Sequence, residues 1–190
     1  MKKDDKFLIE LKDLIIHFAI SVLVVILVTQ FLFVPVRVDG SSMKPTLEDG
    51  QLGFSNVFSI RFLGNIDRFD VVVVDVPNEN KKIVKRVIGL PGETIEFNGD
   101  VLLINGEKMS EPFINQNYAK EQMAIEQSDY FTQDFGPVTI PEDSYFVMGD
   151  NRLNSTDSRS AMYGTFKKES IRSKTVYVFY PFSQIRKAGR

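Results

Sequence analysis

Apolar residues are spread along this chain in two different ways. From Leu14 to Val34 the sequence reads LIIHFAISVLVVILVTQFLFV, about twenty residues without Asp, Glu, Lys or Arg. A helix rising about 1.5 Å per residue crosses a hydrocarbon core of about 30 Å over that length. A removable targeting segment has a shorter apolar core, about 7–15 residues, and small residues at its end. Here the run closes on Phe31-Leu32-Phe33-Val34-Pro35, which is bulky throughout, so a retained anchor is expected. Beyond it the apolar residues come in short β-branched or aromatic runs, at Val71–Val74, Ile83–Ile88, Thr94–Phe97, Val101–Ile104, Tyr145–Met148 and Thr175–Phe179. Such runs predict strands. Pro77, Pro91-Gly92, Asn98-Gly99, Asn105-Gly106, Pro141 and Pro181 punctuate them, and the two Asn-Gly pairs predict tight hairpins. The stretch from Glu111 to Gly136 is polar and weakly periodic. It is read as an insertion or flap, with no helix of ordinary length expected outside the anchor.

Charge adds an orientation. Lys2, Lys3, Lys6 and Lys12 precede the apolar segment, whereas only Arg37 and Lys44 follow it closely. The bias of Lys and Arg toward the cytoplasmic side places the N-terminus inside and the rest of the chain outside. His17, the only histidine, lies about one turn into the segment, where a neutral imidazole reaches the interface. The 190 residues suit one anchor and one domain, and a domain of about 150 residues buries a core without metal or disulfide support. With no cysteine, disulfides, thiolate catalysis and Cys-ligated zinc are excluded. A net charge of −2 and a pI near 5.5 give no reason to expect a nucleic-acid partner.

Few residues remain with which to build a hydrolase. Ser42 sits in Gly40-Ser41-Ser42-Met43-Lys44-Pro45-Thr46-Leu47, just beyond the apolar segment. A serine hydroxyl needs an adjacent base, and no histidine is available at the surface. Lysine serves only when neutral, which requires desolvation and no carboxylate holding its charge. Ile83-Val84-Lys85-Arg86-Val87-Ile88 meets that demand. By strand alternation Ile83, Lys85 and Val87 share one face and Val84, Arg86 and Ile88 the other, and pattern alone leaves open which cation is enclosed. A third cluster, Gly149-Asp150-Asn151-Arg152-Leu153-Asn154-Ser155-Thr156-Asp157-Ser158-Arg159, follows an apolar strand and is dense in hydrogen-bonding groups. Functional loops and ordinary Asx turns both look like this.

In order, GSSMKPTL, RFDVVVV, VKRVIGLPGE and GDNRLNSTDSR after one N-terminal span resemble the type I signal peptidases, and most of all the short single-span forms of Gram-positive bacteria. The resemblance covers essentially the whole chain and is weakest between Asn98 and Pro141. It implies a Ser/Lys dyad, with Ser42 as nucleophile and Lys85 as general base. It further implies that Ser155 orients the lysine, that Asp157 and Arg159 form a bracing ion pair, and that Asp150 supports the loop. The Ser42 backbone N–H is the implied oxyanion donor. Some family members carry a hydroxyl two residues before the nucleophile, where this chain has Gly40.

The fold expected is mainly β, a transmembrane helix followed by an antiparallel β-rich catalytic domain with an inserted cap. Residues 1–13 are the cytoplasmic tail, 14–34 the anchor, 35–97 with 141–190 the catalytic core, and 98–140 the cap. The implied substrates are signal peptides of exported preproteins, cleaved at the outer face of the cytoplasmic membrane without metal or cofactor. Val36, Val38, Met43, Leu47 and Val84 are the expected walls of shallow pockets for small residues. Ser41-Ser42-Met43-Lys44 also fits the S-x-x-K pattern of penicillin-recognising enzymes. Pro45 opposes the helix that pattern needs, and Lys174-Thr175 is followed by Val176 instead of glycine. A tethered β module that binds extended peptides without cutting them is the other alternative.

Overall fold

A computed structural model describes residues 3–62, 64–77 and 79–189; Met1 and Lys2, part of the expected cytoplasmic tail, lie outside the described residues. Helix α1 (Lys3–Phe31) contains a 21-residue apolar stretch, Ile9–Thr29, with mean hydropathy 2.4 and none of it buried. By length and composition it is able to cross a membrane. The chain leaves it through Leu32 and enters β1 (Phe33–Arg37), so Phe33 and Val34 belong to a strand. There follow β2 (Leu52–Asn56), the single turn α2 (Phe58–Arg61), β3 (Val71–Asp75), β4 (Lys82–Gly89), β5 (Thr94–Asn98), β6 (Val101–Ile104) and β7 (Glu107–Met109). Helix α3 (Gln116–Glu126), β8 (Phe135–Thr139), β9 (Ser144–Met148), β10 (Phe166–Lys167), β11 (Ile171–Tyr180) and β12 (Arg186–Ala188) complete it.

Two antiparallel sheets result. The larger has the order β1-β2-β11-β3-β4-β9-β10, with β12 added to β11, and the smaller β7-β6-β5-β8. The mainly β expectation holds. The Asn105-Gly106 hairpin forms between β6 and β7 with φ of 54° and 83° at its two residues, the positive pair that such a turn requires. Prolines sit where a missing N–H is tolerated, Pro35 in edge strand β1 and Pro137 in edge strand β8.

Between Glu111 and Gly136 the structure differs from the expectation, because α3 is an 11-residue helix. Asn115 caps it, its side chain accepting from the N–H groups of Asn117 and Tyr118, and Gln127 ends it in the left-handed region at φ 51°. Ala119 is its only buried residue, so the helix leaves almost no apolar periodicity to read.

Three apolar clusters fill the domain. Val72, Val74, Ile83, Val87, Tyr145, Val147 and Phe166 pack on one face of the large sheet. Ile88, Phe146 and Met148 join the sheets by packing on Ile95, Phe97, Leu102, Ile104 and Ile140. The third holds Met43 and Leu47 against Val38, Val71, Val176 and Val178, and so fastens the Ser42 turn to the sheet.

Candidate active site

Strand β4 lies between β3 and β9 and is buried on both faces. Both of its adjacent cations are therefore enclosed, and by alternation they leave by opposite sides. Arg86 is 1% exposed. Its guanidinium donates to both oxygens of Asp150 at 2.8 and 2.6 Å and to the carbonyls of Phe69 and Gly189, and it lies 4.2 Å above the Phe113 ring. It is a charged structural link.

Lys85 pairs with Val72 across the sheet and is 3% exposed. Its Nζ lies 2.6 Å from Ser42 Oγ. Burial pushes the amine down to about 8; Asp157 opposes this, while Arg159 and Lys81 add to the lowering. At pH 7 about a tenth of such amines are neutral, against fewer than about a thousandth for a solvated lysine. A neutral amine at hydrogen-bond distance is able to accept the hydroxyl proton.

The Ser42 turn is held from two sides. Below it, Met43 and Leu47 are 2% and 0% exposed in the core. Beside it, the loop after β9 grips the backbone: Asn151 donates through its N–H to Ser42 O at 3.0 Å and through Nδ2 to Ser41 O at 3.2 Å. Thr46 Oγ1 donates to Asp150, which ties the turn to the Arg86 pair. Gly149 makes the close approach possible, since a β-carbon there would fall 2.3 Å from both Ser42 O and Ser155 Oγ. Gly40 takes φ +89° and donates its N–H to Asp49 Oδ1 at 2.7 Å. The Ser42 N–H makes no hydrogen bond among the described residues.

Asp157 accepts from Arg159 Nε and NH2 at 2.8 Å each and from the Gly149 N–H at 3.0 Å. Burial pushes this carboxyl up, but Arg159, the Gly149 N–H and the nearby Ser155 hydroxyl together hold it below the usual carboxylate range. Ser158 fixes the same loop to β9 by exchanging hydrogen bonds with Val147. Ser155 Oγ is buried beside this ion pair and makes no hydrogen bond of ordinary geometry, to Lys85 or to any other described residue.

Ser42 and Lys85 share a cleft of about 530 Å³. Of the expected apolar walls, Val38, Met43 and Val84 line it. Leu47 instead lies under the turn and Val36 in β1, both buried. Ile83, Met162 and Tyr163 also line the cleft; Met162 and Tyr163 lie beyond the motif that the sequence singled out. A separate cleft of about 480 Å³ opens between β7 and α3 and contains neither Ser42 nor Lys85.

Two residues of the third cluster, Arg152 and Asn154, have partners that the sequence does not mark. Arg152, wholly buried, donates to Gly149 O and Thr132 Oγ1, pairs with Glu111, and lies near the rings of Phe97 and Phe113. Glu111 comes from the stretch read as a flap, where nothing in the pattern marks it as an ion-pair partner. Asn154 donates to Glu126 at the end of α3. The smaller sheet and its helix are thereby tied to the loop that grips Ser42.

The family described as signal peptidase, peptidase S26, matches residues 11–180. Signal peptidase I S of Bacillus subtilis (strain 168) is 44% identical over 170 residues, 90% of this chain and 89% of that protein. A signal peptidase I of Bacillus amyloliquefaciens is 46% identical over 169 residues, 88% and 87% of the two chains. A crystal structure of a signal peptidase I from Enterococcus faecalis V583 is similar at 36% identity and a TM-score of 0.49, covering 58% of this chain and 96% of that one.

Proposed function

Because this chain belongs to the signal peptidase family, peptidase S26, we propose that it removes signal peptides from exported preproteins with Ser42 and Lys85 as its dyad. The observation that carries this reading is the 2.6 Å contact between a buried amine, with no carboxylate at bonding distance, and a hydroxyl that opens on a cleft. Neutral Lys85 takes the proton of Ser42 as Oγ attacks the scissile carbonyl. The leaving amine receives that proton, and the mature protein departs from an acyl-enzyme. Lys85 then activates a water that hydrolyses the ester and restores the serine. The unpaired Ser42 N–H suits the developing oxyanion. Gly40 offers no hydroxyl for a second contact.

Asp157 with Arg159, and Asp150 with Arg86, hold the loop and strand in place, while Ser155 fills the space beside Gly149. The signal peptide binds as an extended strand, its small side chains meeting Val38, Met43 and Val84. Helix α1 anchors the enzyme with its N-terminus in the cytoplasm and the catalytic domain outside, as the lysines before the span favour. Confinement to one membrane raises the effective concentration of enzyme and membrane-held substrate.

The test is preprotein processing by the full chain in detergent micelles, wild type against Ser42→Ala and Lys85→Met. Both variants are expected to fold and to lose cleavage. Wild-type rates in either variant would reject the dyad. Peptide binding without cleavage by the wild type would favour the non-cutting β module.

A further inference from the structure

The charges along the cleft are unevenly neutralised. Arg37 and Asp39 face each other at 3.3 Å, and Lys82 donates to Asp75 at 2.8 Å. Lys85 is turned to Ser42. Lys81, exposed in the hairpin before β4, also lines the cleft and has no acidic partner among the described residues. Glu79, two residues earlier, neither pairs with it nor lines the cleft. Lys85 apart, the cleft among the described residues thus holds one cation, Lys81, and no carboxylate without an opposite charge beside it.

Lys81 precedes Lys85 by four residues, on the order of 13 Å along an extended chain. A substrate lying along β4 with its scissile carbonyl at Ser42 spans that distance with about four residues. The stretch before the scissile bond is assigned to the Lys81 side of Ser42. Lys81 also acts on the dyad directly, since its charge helps lower the Lys85 amine.

We infer that Lys81 is a specificity-determining residue: it selects for acidic or neutral side chains, and against basic ones, about four residues before the scissile bond. This rests on the cleft being the site of signal-peptide cleavage. A charge pair at a solvated rim is worth roughly two- to fivefold and is screened by salt.

The test uses the full chain in neutral detergent micelles. The substrates are quenched-fluorescence peptides identical except for Asp, Asn or Lys at one position, scanned from three to five residues before the bond. At low salt the wild type is expected to give kcat/KM in the order Asp, Asn, Lys at one of these positions, with about two- to fivefold between neighbours. Lys81→Gln flattens the series, Lys81→Glu inverts it, and salt of about 0.5 M compresses all three. An unchanged order in Lys81→Glu, or no charge preference in the wild type, overturns the inference while leaving the dyad intact. An Asn peptide cleaved equally by Ser42→Ala would instead overturn the reading of the cleft, and this inference with it.

Discussion

Replacing Lys85 by Met is expected to abolish activity and yet stabilise the protein at neutral pH. The wild-type amine titrates near 8 in the folded state, against 10.5 for the ordinary group. Below pH 8 the folded protein must carry a buried ammonium, and the unfolded chain, binding that proton more readily, gains about 3 kcal/mol relative to alkaline conditions. The penalty is complete below the folded value of about 8, shrinks as pH rises, and is gone above about 10.5. Methionine has a similar stem and no charge, so the variant escapes it. It loses the contact with Ser42, worth about 1 kcal/mol, leaving a net gain of about 2 kcal/mol at pH 7. For a chain of this size that corresponds to a Tm higher by about 4–8 °C. Thermal unfolding in detergent, followed by near-ultraviolet circular dichroism at pH 7, 9 and 10.5, measures it. The advantage must shrink as pH rises. A variant less stable than wild type at pH 7, or a difference flat across the range, would refute burial as the cause of the lowered amine.

The acylation rate in single-turnover experiments is expected to rise about tenfold per pH unit below 8 and to level above it, since the neutral amine is the active form; a profile still climbing toward 10.5 would contradict a desolvated base. Gly149→Ala drives a β-carbon against Ser42 O and Ser155 Oγ, and displacement of the nucleophile by about 1 Å lowers kcat/KM on the order of 100-fold. Activity within threefold of wild type would show that the loop yields freely. Glu111→Ala strips the wholly buried Arg152 of its carboxylate, at a cost of about 3–5 kcal/mol. Denaturant unfolding checks that figure, and an unchanged midpoint would mean that water or Thr132 takes over the charge.

The parts of this molecule that can be read from sequence are those whose physics is local. Val71–Val74 and Ile83–Ile88 announce strands because β-branched runs suit the pleat, and Asn105-Gly106 announces a turn because both residues accept positive φ. The edge strands β1 and β8 are hidden by their prolines, and α3 by an apolar face reduced to Ala119. Site residues divide in the same way. Ser42 and Lys85 stand out because chemistry restricts which residue types can serve. The grip of Asn151 on the Ser42 turn, and of Glu111 on Arg152, depends on which loops meet across the two sheets. No spacing along the chain encodes that meeting.

Lys85 and Arg86 show why burial alone does not define a catalytic base. Both are almost completely enclosed, on consecutive residues of one strand, so desolvation acts against each charge. Around Arg86, Asp150 takes both ends of the guanidinium fork and two carbonyls take what remains, so its buried charge is matched by an opposite one. Lys85 meets no carboxylate at bonding distance. Asp157, the acid that acts on it most strongly, is already engaged by Arg159, whose own charge opposes protonation of the lysine. An enclosed ammonium without a fixed counter-ion is the state that the fold disfavours. The arginine pairs that surround Lys85 thus do double duty, bracing the loop that holds Ser42 and occupying the carboxylates that would otherwise keep the base protonated.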